Sequence, residues 1–108
     1  MISQEEFNTI FESIIEELRN KNKSKGKEYS RHNDRLHNFQ MGSRMLGCQP
    51  YVYLWILRSK HEVSLQDMVS DWAEGITHSK EVWKEKITDS IMYLILLYTM
   101  LFDSDIEA

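Results

Sequence analysis

The stretch "IMYLILLYTMLF", residues 91–102, is apolar on every side of a helix, and its reading decides the fold. It is too short to cross a bilayer, which takes about 20 residues, and Asp89 and Asp103 bound it closely. It does not alternate for long enough to read as a strand, so it is the second half of a helix running from about residue 80 to residue 103. A helix that is apolar all round is either central in a large core or shared between subunits. Only three other helical stretches are available in 108 residues, so sharing is expected. The expectation is a homodimer or higher oligomer, with Leu94, Leu97, Tyr98 and Leu101 in the contact.

Working outward, "RSKHEVSLQDM", residues 58–68, lies in a helix with a narrower stripe. Leu54, Leu57, Leu65, Met68 and Trp72 recur at steps of three and four, and His61 falls among them. Pro50 suits the first turn of this helix, which should run to about residue 73. The loop "EGITHS" follows, with Gly75 as its breaker and Thr77 or Ser79 as the next cap. Upstream, Leu36, Phe39, Ser43 and Leu46 share one face of a helix that Gly47 would end. The first helix opens with a capping box, Ser3 and Glu6, and a hydrophobic staple, Ile2 and Phe7. Phe7, Ile10, Phe11, Ile14, Ile15 and Leu18 then hold one face, and the helix should stop near "NKNKSKGK", with Gly26 as a left-handed terminator. The fold class is all-α: one domain, residues 1–108, built as a four-helix bundle.

Composition narrows the function classes. The chain is 42% hydrophobic and 28% charged, a globular balance rather than a disordered one. A net charge of −4 gives no global pull toward DNA or an anionic membrane, so neither is an expected partner. Cys48 is the single cysteine; a free thiol in a reducing cytosol, without catalytic duty, is the simplest reading. The N-terminus lacks a basic region followed by an apolar run, so no signal peptide is expected.

Four clusters could carry chemistry. "KSKGKEY", residues 23–29, could form a mobile phosphate-meeting loop, with Lys27 and Tyr29 as candidates; it could equally be a solvated helix end. In "RHNDRLHNF", residues 31–39, a helix would line up Arg31, Asp34, Arg35 and Asn38 as a polar strip beside the core. Arg35 could grip a phosphate bidentately and Asn38 could read a base edge or sugar hydroxyl; the plain alternative is an exposed face with local ion pairs. Lys60, His61 and Ser64 edge the third helix, and Lys86, Asp89 and Tyr93 share one edge of the fourth. An aspartate entering an apolar bundle needs a partner, and Arg35, Lys60 and His61 are the candidate cations. One polar pocket between helices two, three and four, lined by Arg35, Asn38, Lys60, His61, Asp89 and Tyr93, would satisfy these groups together. Paired with Asp89, His61 should stay charged to higher pH than a free histidine. No HExxH or other standard zinc spacing is present, so no transition-metal site is expected.

In order and spacing, "KGKEY", "DRLHNF", "KHEVSLQDM" and "WKEKITDSIMYLILL" resemble a family of small bacteriophage proteins, over residues 23–101. More distantly, the "DR..NF" helix and the Asp-bearing last helix are similar to the phage nucleotide-modification-associated domain and to the MazG-like all-α nucleoside triphosphate pyrophosphohydrolases. The resemblance implies a MazG-like bundle, a phage or prophage origin, residence in the host cell cytoplasm and a nucleotide-related role. The departures concern the metal. MazG-like enzymes hold magnesium on a Glu-Glu-x-x-Glu helix and a later Glu-x-x-Asp. Here Lys86 stands at the first position of the later motif, Glu85 is one residue out of register, and Glu62 is the only carboxylate near the expected face of the earlier helix. Cations have largely replaced carboxylates, which favours holding an anion over coordinating Mg²⁺ and cleaving.

Three functions follow. The first is a non-catalytic binder of a nucleotide or other phosphorylated small molecule, needing no cofactor, which a phage could use to sequester a signalling nucleotide in evading host defence. The second is an interaction protein that binds and inhibits a host protein. The third is a diverged Mg²⁺-dependent pyrophosphohydrolase, with Asp34, Glu62, Glu85 and Asp89 sharing the ion and His61 as base.

Overall fold

A computed structural model describes residues 1–106, the side chain of Tyr29 excepted, so the Tyr29 candidate lies outside the described side chains. The described residues form four helices and no strand: α1 (Gln4–Tyr29), α2 (His37–Leu46), α3 (Pro50–Ala73) and α4 (Lys80–Met100). No helix among them is long and apolar enough to cross a membrane.

Local chemistry sets most boundaries. The Glu6 amide donates to Ser3 Oγ at 3.0 Å and the Ser3 amide donates back to Glu6 Oε1 at 3.4 Å, closing the capping box. Gly47 ends α2 at φ +67, and the Cys48 amide reaches back to the Ser43 carbonyl. Pro50 sits in the first turn of α3. Gly75, at φ +83, turns the chain after α3, and Ser79 caps α4 through the Val82 amide at 3.2 Å.

Three boundaries differ from the sequence reading. Helix α1 does not stop at Gly26 but passes through it to Tyr29, where the Ser30 amide bonds the Gly26 carbonyl. Residues 31–34 are not helical: Arg31 and Asp34 exchange both backbone hydrogen bonds across His32 (φ 54) and Asn33 (φ 59). Two consecutive positive φ values are the signature of a type I′ turn, which Asn tolerates well and His less so. The strip Arg31, Asp34, Arg35, Asn38 therefore does not exist as one helical face. Finally, α4 ends at Met100 rather than at residue 103.

The core is small. Leu36, Phe39, Leu54, Leu96 and Met100 form its buried centre, with Tyr53, Leu57, Met92 and Tyr93 packed around it. Helices α2 and α4 pack on α3, and α1 lies along α4. The α2–α3 contact is close: a Cβ built on Gly42 would stand 2.3 Å from the Tyr53 ring. Buried Thr88 and Ser43 turn their hydroxyls onto their own helices, to the Lys84 carbonyl at 2.7 Å and the Gln40 carbonyl at 2.8 Å. The Trp72 and Trp83 rings lie 5.7 Å apart, tilted by 58°, where α3 and α4 meet at the loop end. The predicted apolar face of α1 is covered only in its C-terminal half; Phe7, Ile10 and Phe11 each remain about half exposed.

Candidate functional site

A cavity of about 320 Å³ opens where all four helices approach one another. Each element brings a different chemistry. From α1 come Lys21 and Lys25, from the turn before α2 comes Arg35, and from α2 come Asn38 and Phe39. Helix α3 adds Leu57 and His61; α4 adds Asp89, Met92, Tyr93 and Leu96. The lining thus combines apolar, aromatic and cationic side chains.

The aromatic side is a relay of rings. Tyr93 stands 5.1 Å from His61 and meets Phe39 edge-on at 6.3 Å, and Phe39 meets Tyr53 edge-on at 6.4 Å. On the polar side, Lys21 Nζ donates to Asp89 Oδ1 at 2.5 Å and to the Glu85 carbonyl at 3.3 Å. That ion pair is largely shielded, with 11% of the Lys21 side chain and 22% of Asp89 exposed. Three cationic side chains thus surround one carboxylate, and that carboxylate is already engaged. In a chain of net charge −4, this is a local concentration of positive charge.

His61 faces the cavity, but its protonation runs opposite to the sequence expectation. Burial lowers its pKa below the ordinary value; Asp89 pulls it upward, while Lys86, Lys60 and Lys21 push it down. Burial outweighs the pull of Asp89, so the imidazole gives up its proton more readily than a free histidine does.

The expected pocket is therefore assembled in part. Arg35, Asn38, His61, Asp89 and Tyr93 do line one cavity. Lys60 is exposed and does not line it; Lys86 and Ser64 are half-buried and stand outside it, Lys86 acting on His61 only through its charge. Lys27 is exposed at the end of α1, and Arg31 is exposed in the turn. Asp34 caps that turn, accepting from the Leu36 amide at 2.9 Å. The partner of Asp89 is none of the three candidate cations but Lys21.

Helix α1 is the wall that the sequence reading missed. Its signal was present: Ile14, Leu18, Lys21 and Lys25 continue one stripe at steps of four, three and four. Reading Gly26 as a stop turned those lysines into helix-end decoration instead of cations set on a core-facing stripe.

The four carboxylates considered for magnesium are dispersed. Glu62 pairs with Arg58 at 2.7 Å and accepts from Ser90 Oγ at 3.3 Å, Glu85 is exposed, and Asp34 and Asp89 have the roles just given. Among the described residues, no group of three or more His, Cys, Asp or Glu side chains is placed to hold an ion. Cys48 is a half-buried free thiol in the α2–α3 connection, apart from the cavity. No family model, curated protein or solved structure matches the chain.

Proposed function

We propose that the protein binds a nucleotide, or another small phosphorylated molecule, in the cavity between its four helices, and does so without chemistry on it. The observation that carries this reading is the cavity's mixed lining: the cations Lys21, Lys25 and Arg35, the neighbouring Tyr93 and His61 rings, and apolar Leu57, Met92 and Leu96. Cations suit phosphate, an aromatic face suits a base, and Asn38 offers both a donor and an acceptor to a base edge or ribose. The volume lies at the lower end of the range for small-molecule sites, about 300–1,000 Å³. A phosphate beside His61 would favour the imidazolium, so binding should take up a proton and tighten as pH falls below about 6.5 toward the lowered value of the free site.

The resemblance to small phage proteins supports a phage setting in the host cytoplasm, a MazG-like ancestry for the bundle, and sequestration of a signalling nucleotide as the biological use. The hydrolase reading draws little support from the dispersed carboxylates. The interaction-protein reading rests on a different observation, the many large apolar side chains left exposed, among them Trp55, Trp72, Leu101 and Phe102. We read the part of that surface on α4 and just after it, Leu94, Tyr98, Leu101 and Phe102, as a self-association face.

A thermal-shift panel of nucleoside mono-, di-, tri- and cyclic phosphates tests the binder. At about 100 times its dissociation constant a true ligand adds about 2.7 kcal/mol, a rise of roughly 10 °C for a domain of this size. Lys25→Glu should abolish the shift, read against the variant's own unliganded melting temperature. A panel without any shift would overturn the reading.

A further inference from the structure

Helix α1 has two halves of one stripe. In the C-terminal half, Ile15 and Leu18 stand against Met92, Ile95, Leu96 and Thr99 of α4. Ile15 already shares a hollow with Thr99, beside the last turn of α4, so the residues before it overhang that helix. The overhang, residues 4–14, is about 16 Å long at 1.5 Å per residue. It is built firmly, with the capping box closing its first turn, yet Phe7, Ile10 and Phe11 are 54%, 52% and 51% exposed. A strict apolar stripe on a capped helix, left half exposed by the described residues, is an arm awaiting a seat.

A seat of matching chemistry lies on the far side of α4. Tyr51, Leu94, Leu97, Tyr98, Leu101 and Ile106 line an almost wholly apolar groove of about 580 Å³. Positions 94, 97, 98 and 101 fall on one side of the helix and positions 92, 95 and 99 on the other, so the chain's own arm, carried on the second side, does not cover the groove. The surface area says how much is missing. The chain exposes 8259 Å², whereas a compact monomer of this mass exposes about 6,300 Å². The radius of gyration, 16.3 Å, likewise exceeds the roughly 13 Å of a compact domain of about 100 residues. An excess near 2,000 Å² per chain is more than the roughly 800 Å² per partner of a standard interface, and it falls in the range of obligate dimers.

We propose that the occupant of each groove is the α1 arm of a second copy, so that two chains exchange arms about a two-fold axis. Phe7, Ile10 and Phe11 of one copy pack against Leu94, Tyr98 and Leu101 of the other. This rests on the self-association reading and specifies it: the contact is arm to groove, not groove to groove.

Sedimentation velocity on the full chain and two surface variants tests it. The arm variant carries Phe7→Asp with Phe11→Asp; the groove variant carries Leu101→Asp, at a residue 75% exposed. All three positions are exposed, so helical circular dichroism should be retained in both. The expected result is a wild-type dimer, two monomeric variants and, in their equimolar mixture, a dimer weaker than wild type, because the arm variant keeps an intact groove and the groove variant an intact arm, which leaves one of the two contacts whole. An arm variant that still dimerises, or a mixture that associates no more than either variant alone at the highest concentration reached, would overturn arm exchange and leave self-association standing. A monomeric wild type at high concentration would overturn both.

Discussion

Two of the seams between helices are opposites. Between α2 and α3 the chain is closed to the last atom: Gly42 lies under the Tyr53 ring with no room for a methyl group, and Phe39 meets the same ring edge-on. Between α1 and α4 the contact is open, with the Lys21–Asp89 pair standing where a packed core would otherwise be and a cavity beside it. The first seam uses shape alone, so it tolerates no added volume. The second leaves space and charge, which cost stability unless something uses them. The proposed binding site lies at the open seam, where a ligand would use the space and the charge.

The contrast can be broken most severely at the closed seam. Gly42→Ala places a Cβ in the Tyr53 ring and should cost about 3 kcal/mol, the upper end for overpacking; denaturant titration measures it. A neutral effect would mean that α2 slides freely on α3. At the open seam the dominant effect is electrostatic. Asp89→Ala leaves Lys21 shielded and without its carboxylate, which should cost about 2 kcal/mol. The double change Lys21→Met with Asp89→Leu should recover much of it, since apolar replacement of a shielded pair is often neutral or better. A double variant as unstable as the single one would assign the loss to lost packing instead of the stranded charge.

A smaller, pH-dependent effect reports on His61. Its folded pKa is depressed, so the unfolded chain takes up a proton that the folded chain resists. The stability associated with the neutral imidazole is complete above about pH 6.5 and is lost as pH falls below it toward the folded value. Stability should decline with acid in that window, and His61→Gln should flatten the decline. An unchanged slope in His61→Gln would place the titrating group elsewhere.

The smallest effect belongs to Gly26. It is helical, and a Cβ there would meet Arg35 Nε at 3.6 Å, an ordinary contact. Gly26→Ala should therefore stabilise the fold by about 0.5–1 kcal/mol. A loss instead would show that α1 needs to bend at this point.

Gly26 also marks where sequence reading reached its limit. The helices were legible because their ends are chemical: Ser3 with Glu6, Gly47, Pro50 and Ser79 each act through hydrogen bonds that a sequence displays locally. Gly26 offers the same sign without the event, because a helix continues through glycine when its flanks are packed or bonded. Residues 31–34 failed for the complementary reason. Two left-handed residues in a row are set by ring closure of Arg31 with Asp34, and nothing in "RHND" separates that turn from a helix of the same polarity. At the site, Arg35, Asn38, His61, Asp89 and Tyr93 were legible as polar groups bordering apolar stripes. The identity of Asp89's partner was not, since Lys21 is 68 residues away in sequence and only the antiparallel run of α1 on α4 brings it near.

The most direct measurement is calorimetric titration of the wild-type protein with a nucleoside monophosphate series and, beside it, the same nucleosides without phosphate, at two pH values on either side of about 6.5. A phosphate-holding cavity with a neutral His61 should bind at least one nucleotide and not its nucleoside, take up a proton on binding, and bind more tightly at the lower pH. Equal affinity for nucleotide and nucleoside, or heat from neither, would contradict the assignment of the α1–α4 seam as an anion site.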